Sequence, residues 1–327
     1  MKQCIIFGGT GYIGRSVAMR LQATQRFQRI WLVDLHPPAV PMPDGISFIR
    51  HDAREPISAK SLGIEGAVDW ILNFAAVHRE PGHHASEYFR TNIPSTRHIA
   101  SYADSIGCQN IFFTSSIAVY GPTSQATDEN SPLEPTTPYG VSKLCCELIL
   151  EAWKADAKSK RLVVVRPGVI YGHGDPGNIG RLIQAIKRGR FAFPGRRDIR
   201  KSYGYIEGLI DSIEFMLDRP DPHLIYNYVE KETLPLSEVA KTIAELVNVS
   251  EPKFSIPIGF LASTASAIQL MTAGKSPIHP VRVRKAATQT WIVPQRLIDL
   301  EFHFRYDFRS SLEHWREIAP QEFSKSR

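Results

Sequence analysis

Cysteine is scarce in this chain, and the four that occur (Cys4, Cys108, Cys145 and Cys146) show no metal-ligand spacing. Cys145 and Cys146 are adjacent on a helical pattern and point to different sides, so reduced thiols are expected. His83 and His84 lack a third ligand at a useful spacing, so no metal is expected. No internal repeat or low-complexity segment occurs in the 327 residues. The opening, MKQCIIFGG, runs straight into strand-forming residues, which leaves no room for a leader and points to a cytoplasmic protein. The one long uncharged stretch, Phe254 to Gly274, is interrupted by Ser, Thr, Gln and Pro, which argues against a spanning helix. There is no nucleic-acid motif either, although a net charge of +6 suits an anionic partner such as a diphosphate or an anionic bilayer.

What the chain does have is a fold signature. Its length allows one large α/β domain plus a smaller lobe, and 43% hydrophobic with 22% charged residues is the balance of a soluble globular protein. Cys4 to Phe7 reads as a buried strand that breaks at Gly8-Gly9, and a helical pattern follows Gly14 with Val17, Ala18 and Leu21. Glycines at 8, 11 and 14 fit the dinucleotide fingerprint: a tight turn, a close backbone approach to a pyrophosphate, and close packing of helix on strand. The helix N-terminus then offers its N–H groups to phosphate. A second apolar strand, Ile30 to Val33, ends in Asp34, twenty residues after Gly14. A carboxylate there accepts from the adenosine ribose hydroxyls and repels a 2′-phosphate, favouring NAD over NADP.

Strands and helices then alternate. Ile46 to Arg50, Val68 to Asn73, Asn110 to Thr114 and Leu162 to Val165 read as strands. Tyr88 to Ile106 and Pro138 to about Asp156 read as helices, the second capped by Thr137. Phe74-Ala75-Ala76 follows Asn73, and small residues at a strand's C-terminal end let a cofactor lie against the backbone. Asp52, just past a strand, sits where an adenine edge would lie; a turn or helix cap is the equal reading. The pattern predicts an α/β doubly wound parallel sheet (Rossmann) over residues 1–172, with a return segment at 205–230. Residues 173–204 and 231–327 are assigned to a smaller C-terminal substrate lobe.

The chemistry is centred on Tyr139 and Lys143, four apart and on one helix face. A lysine beside a tyrosine, with a cationic nicotinamide nearby, lowers the phenol pKa and makes it a usable general base. The hydroxyl of Ser116 would hydrogen-bond the reacting substrate oxygen.

These motifs together (Gly8 to Gly14, Asp34, Asp52-Ala53, Asn73 to Ala76, Asn92, Thr114 to Gly121, Tyr139 to Lys143, Arg166 to Gly172) resemble the extended short-chain dehydrogenase/reductases, in their sugar-nucleotide epimerase branch. The resemblance implies a catalytic triad of Ser116, Tyr139 and Lys143, with Asn92 supporting the site and Pro167-Gly168 against the nicotinamide. It implies further NAD contacts from Gly8, Gly11, Tyr12, Ile13, Gly14, Asp34, Asp52, Ala53, Phe74, Ala75, Ala76, Asn92, Tyr139 and Lys143. The dehydratases of the family follow the active-site Thr with an Asp-Glu pair. Here Ser116 stands in that place with Ile117-Ala118 behind it, which disfavours water loss. Asp34 disfavours the reductases, most of which take the phosphorylated cofactor. Epimerisation at C4 remains.

For the substrate, the resemblance points to His78, Ser116, Asn178, Arg200, Lys201 and Arg282, the cations suiting a diphosphate. Lys201-Ser202 replaces the usual Arg-Asp pair. This departure and His78-Arg79-Glu80 look like a bacterial subgroup that epimerises N-acetylglucosamine on undecaprenyl diphosphate for surface polysaccharide and O-antigen assembly. The alternative is a UDP-sugar 4-epimerase, and behind it a nucleotide-sugar reductase or dehydrogenase. A homodimer through the helices near Ile99 and Leu148 is implied by the resemblance alone. Phe254 to Gly274 reads either as an interfacial segment on the bilayer, making the protein peripheral on the inner membrane, or as a lobe helix or dimer contact.

Overall fold

The computed structural model describes residues 2–79, 82–174, 177–272 and 280–324, apart from the Arg282 side chain. Its first half is a strict alternation of strand and helix. β1 (Gln3–Phe7), α1 (Tyr12–Ala23), β2 (Arg29–Asp34), β3 (Ile46–Arg50), β4 (Trp70–Asn73), α2 (Ala85–Ser105) and β5 (Asn110–Thr114) come first. A 3₁₀ turn (Ile117–Tyr120) leads to α3 (Pro138–Ala155), β6 (Arg161–Pro167) and β7 (Val169–Tyr171). The second half runs α4 (Asn178–Lys187), β8 (Phe193–Pro194), β9 (Tyr203–Tyr205), α5 (Ile206–Asp218), β10 (His223–Tyr228), α6 (Leu236–Leu246) and β11 (Ser255–Ile256). It closes with α7 (Ile258–Met271), α8 (Pro280–Ala287), α9 (Gln295–Asp299), α10 (Phe308–Ile318) and α11 (Pro320–Phe323).

Seven of these strands form one parallel sheet in the order β3-β2-β1-β4-β5-β6-β10. A parallel sheet is covered on both faces, so its strands are apolar on both sides. Ile6 points into a core shared with Val17 and Leu21 of α1 and with Leu209 and Ile213 of α5. Its neighbours Ile5 and Phe7 point into the opposite core, with Ile99 and Ala103 of α2 and Cys146 and Leu150 of α3. Chain order reverses between β1 and β4. Ligands of open α/β sheets bind outside the strand ends at such a switch point. All four cysteines are free thiols.

Three of the element boundaries that differ from the sequence expectation have a local cause. α1 begins at Tyr12 rather than past Gly14, because Gly11 is already extended as its cap and its carbonyl accepts from Arg15 N–H at 2.9 Å. α2 begins at Ala85 rather than Tyr88. His84 serves as N-cap with Glu87 in a capping box, a role that cap preferences assign to Ser, Thr, Asp or Asn. β4 begins at Trp70, because the Asp69 carboxylate accepts from Gln3 N–H at 2.7 Å and ends the ladder there.

Residues 169–205 and 229–324 add two small parallel pairs, β7-β9 and β11-β8, outside the large sheet. No helix among the described residues is long and apolar enough to cross a membrane.

Candidate active site

β1 ends at Phe7, and Gly8 turns the chain with φ of +71°, a conformation that costs glycine least. A side chain there would also collide: a Cβ on Gly8 would lie 2.6 Å from the Ala75 nitrogen. The two strand ends on either side of the switch point thus touch backbone to backbone, and Gly14, buried in the first turn of α1 behind Tyr12 and Ile13, packs on the Gly8 carbonyl, where a Cβ would lie 2.3 Å away. Asp34 stands at the end of β2, one carboxylate oxygen accepting from Thr10 Oγ1 at 2.7 Å and the other from Leu35 N–H at 2.7 Å. Asp52 lies past β3, next to Ala53. Its carboxylate is held by Arg54, whose hydrogen bonds keep it below its ordinary pKa.

The floor of the crevice is made by the ends of β4 and β5. Phe74 packs on Phe112 with ring centres 5.9 Å apart, and Ala75 N–H donates to the Asn73 side-chain oxygen at 3.0 Å. Three buried polar atoms here have no protein partner: Asn73 Nδ2, Thr114 Oγ1 and Ser115 Oγ. Native interiors rarely leave such groups unsatisfied, and three at one sheet edge fit a polar ligand. A glycine turn without side chains, a carboxylate at the ribose end and unpaired donors on the floor are the features a dinucleotide needs.

Past β5, Ser116 caps the 3₁₀ turn, its Oγ accepting from Ala118 N–H at 3.1 Å. α3 starts directly against that turn. A Cβ on Gly140 would stand 2.4 Å from the Ala118 carbonyl oxygen, so only glycine allows the approach. Tyr139, the preceding residue, is thereby delivered to the same end of the sheet as Ser116. Its ring lies 6.0 Å from that of Tyr88 on α2. One helical turn further in, Lys143 is buried, with its ammonium 4.3 Å from the centre of the Phe113 ring. Burial lowers Lys143 to about 8, against the raising influence of Cys146 and Glu147.

Asn92, on α2, faces the loop after β4 and α3. Its amide is engaged by protein: the oxygen accepts from Val77 N–H at 2.8 Å, and the nitrogen donates to the Val77 carbonyl and to Ser142 Oγ at 2.9 Å. These bonds tie α3 to the loop after β4. His78 follows Val77 and is exposed. Pro167 ends β6, and Gly168 beside it donates to the Tyr228 carbonyl at 2.9 Å.

The cations expected at a diphosphate have protein partners in the structure. Arg200 donates to the Thr233 carbonyl and lies 4.9 Å over the Trp291 ring. Lys201 donates to the carbonyls of Lys285, at 2.6 Å, and Thr288. Burial lowers it to about 8, with Lys285 adding to the effect. Cations taken out of water need acceptors, and these two find them in the carbonyls of Thr233, Lys285 and Thr288. Asn178 is exposed at the start of α4, bonded to Arg181 at 2.9 Å. The Arg282 side chain and Glu80 lie outside the described residues. Ile99 is fully buried in the core, so only Leu148 of the two dimer markers is on the surface.

One network escaped the sequence reading. Glu147 and Arg166, both buried, form a two-pronged ion pair at 3.1 and 2.6 Å. Arg166 also donates to the Tyr120 hydroxyl at 2.8 Å, which donates to Asn227 Oδ1 at 2.8 Å. Burial opposes the guanidinium charge, but Glu147 outweighs it and holds Arg166 above its ordinary pKa. The signal was available: Glu147 continues the Tyr139–Lys143 face at the same spacing of four. Among the described residues no cluster of His, Cys, Asp and Glu of metal-binding size occurs.

A doubly wound sheet with this crevice is a dinucleotide-binding architecture. Residues 4–228 match the family described as the NAD dependent epimerase/dehydratase family. A 227-residue span is 31% identical to N-acetyl-alpha-D-glucosaminyl-diphospho-ditrans,octacis-undecaprenol 4-epimerase of Escherichia coli O157:H7, covering 68% of this chain and 69% of that protein. A mouse dTDP-D-glucose 4,6-dehydratase is 25% identical over 262 residues, 75% of this chain and 73% of its own. Among solved structures, UDP-glucuronic acid 4-epimerase from Bacillus cereus, in complex with NAD, superposes with a TM-score of 0.76 at 18% identity. That match covers 98% of this chain and 99% of the other. The chain belongs to the NAD-dependent epimerase/dehydratase family. It is a sugar-epimerase family enzyme whose cofactor is NAD.

Proposed function

We propose that this enzyme is a 4-epimerase of an N-acetylhexosamine carried on a lipid diphosphate, interconverting the N-acetylglucosamine and N-acetylgalactosamine forms for surface polysaccharide assembly. The reading is carried by the likeness to the Escherichia coli enzyme whose name states this carrier and sugar. Ile117-Ala118 behind Ser116 supports it, since a dehydratase needs an acid–base carboxylate there.

Gly8 to Gly14, Asp34, Phe74 to Ala76 and Pro167-Gly168 would hold NAD, with Lys143 on its nicotinamide ribose. NAD, when bound, supplies a reversible hydride acceptor for the sugar carbon. Tyr139 takes the proton from the C4 hydroxyl as that carbon is oxidised, and the Lys143 ammonium favours the phenolate that does so. Ser116 donates to the same oxygen and holds it. After the ketone turns over in the pocket, Tyr139 returns the proton to the carbonyl oxygen as it is reduced, so no proton or electron is lost. The Asn92 clamp keeps α3 in register throughout. Tolerance of a homodimer is consistent with the exposed Leu148 on α3.

Two measurements test this. Purified enzyme without added cofactor is offered undecaprenyl-diphosphate N-acetylglucosamine and, separately, UDP-N-acetylglucosamine, and the sugars are resolved. Conversion of the lipid-linked substrate is expected; conversion of the UDP sugar alone overturns the carrier assignment, and a requirement for NADPH overturns epimerisation. For Asp34, the wild type is expected to bind NAD at least about tenfold more tightly than NADP, and Asp34→Ser to narrow that gap. Equal affinities in the wild type would remove the role given to the carboxylate.

A further inference from the structure

α7 (258–271) is an apolar helix that the protein leaves largely uncovered. Of its residues only Ala262 and Ala265 are buried. Phe260 is 67% exposed, Leu270 85% and Met271 79%, and Phe254 just before the helix is 78% exposed. A patch of this kind on a soluble protein marks an interaction surface. Two of its hydroxyls, and that of Thr272 just past its end, are already bonded to the helix backbone. Thr264 Oγ1 donates to the Phe260 carbonyl at 2.9 Å, Ser266 Oγ to Ala262 at 2.9 Å and Thr272 Oγ1 to Ile268 at 2.8 Å. Hydroxyls bonded back to their own helix carry less desolvation cost into an apolar medium.

The charge around the helix selects the partner. Residues 252–298 contain no Asp or Glu and six cations: Lys253, Lys275, Arg282, Arg284, Lys285 and Arg296. The remaining 33 Lys and Arg equal the 33 Asp and Glu of the whole chain, so this stretch supplies the entire net charge of +6. Such a segment suits an anionic lipid surface, where each basic residue adds attraction. A second copy of the same face would bring like charge against like. Fourteen helical residues also span only about 21 Å, too short for a bilayer core of about 30 Å. An apolar, uncharged helix flanked by cations lies in the interface instead.

The helix is connected to the catalytic crevice. α7 packs on α8, whose C-terminal end is held by the Lys201 ammonium on the Lys285 and Thr288 carbonyls. Ser202, next in sequence, donates through Oγ to the Thr290 carbonyl and accepts on its own carbonyl from Val169 N–H at 2.8 Å, directly after Pro167-Gly168. We infer that α7 with Phe254 docks the enzyme in the plane of an anionic phospholipid surface, and that the Lys201–Ser202 tether sets the crevice relative to that surface. The use of this contact, delivery of a sugar still attached to its lipid, rests on the lipid-linked reading above.

The test is flotation of the full-length enzyme with phosphatidylethanolamine–phosphatidylglycerol vesicles and with phosphatidylcholine vesicles. Alongside it run Phe260→Asp and Leu270→Asp, light-scattering masses, and conversion of detergent-dispersed undecaprenyl-diphosphate N-acetylglucosamine and of UDP-N-acetylglucosamine. Both sites are exposed, so thermal melts should match the wild type. The wild type is expected to float with the anionic vesicles, at least about tenfold less with the neutral ones. Each variant should lose at least about tenfold of the bound fraction at unchanged mass. A wild type that stays in solution, variants that still float, or variants whose mass halves while flotation persists would overturn docking. Conversion of the lipid-linked sugar by an enzyme that does not float refutes the docking helix and leaves the epimerase reading standing. Flotation with conversion of the UDP sugar alone does the reverse.

Discussion

Tyr139 and Lys143 share a helix face but meet different surroundings. Tyr139 is partly open to the crevice, whereas Lys143 is sealed beside Phe113 and drops to about 8. Lys143 is therefore charged below about pH 8 and neutral above it, while an unfolded chain keeps the proton to its ordinary value of 10.5. In the cofactor-free protein, two lysine Nζ resonances, those of Lys143 and Lys201, should titrate near 8, and only one of them should vanish in Lys143→Met. For Tyr139→Phe, kcat should fall by about 10²–10⁴-fold, with the melting curve unchanged; retained activity would remove the tyrosine from the proton path. The residue pattern made both side chains legible, because spacing of four is a local property. Burial of the lysine was not legible, since Phe113 arrives from a strand far away in sequence.

At the scale of elements, α3 is anchored twice. Ser142 receives the Asn92 amide on one side, and Glu147 grips Arg166 of β6 on the other. A buried pair is costly to break from one side only, because the survivor is left charged without a partner. Glu147→Leu or Arg166→Met alone should each lose about 3–5 kcal/mol in urea unfolding, and the double variant should recover most of it. Additive losses would show that the pair acts as two independent groups. The strands were readable from apolar runs, and the parallel, doubly wound class of the sheet from their alternation with helices; the strand order was not. The start of α2 was not, because a histidine cap carries no common propensity signal. The destination of Arg200 and Lys201 was hidden for the same kind of reason: a cation in a sequence looks the same whether a phosphate or a carbonyl will meet it.

The whole molecule is closed by contacts that join its two halves. Glu230, buried just past β10, accepts from the Tyr171 hydroxyl of β7, which also meets Ser311 of α10. Burial raises this carboxyl to about 8, against the lowering effect of the Tyr171 hydrogen bond. The folded protein therefore keeps a proton that the unfolded chain releases near 4.5. Stability from this group is full below about pH 4.5 and declines as pH rises toward 8. Melting temperature should fall by roughly several degrees between pH 5 and 8 from this source, and Glu230→Gln should flatten that slope. An unchanged slope in the variant would mean that the carboxyl ionises freely.

The sequence by itself determined the strand–helix alternation, the glycine turn, Asp34 at a strand end and the Tyr139–Lys143 face. All of these are short-range, written in period, spacing and residue type. Tertiary structure decided the rest: that Gly140 abuts the turn behind Ser116, that Asn92 serves as a clamp, that Arg200 and Lys201 hold carbonyls, and that α7 stays uncovered. Each of those depends on which distant groups fold packs together, and on which apolar surface it leaves without a partner.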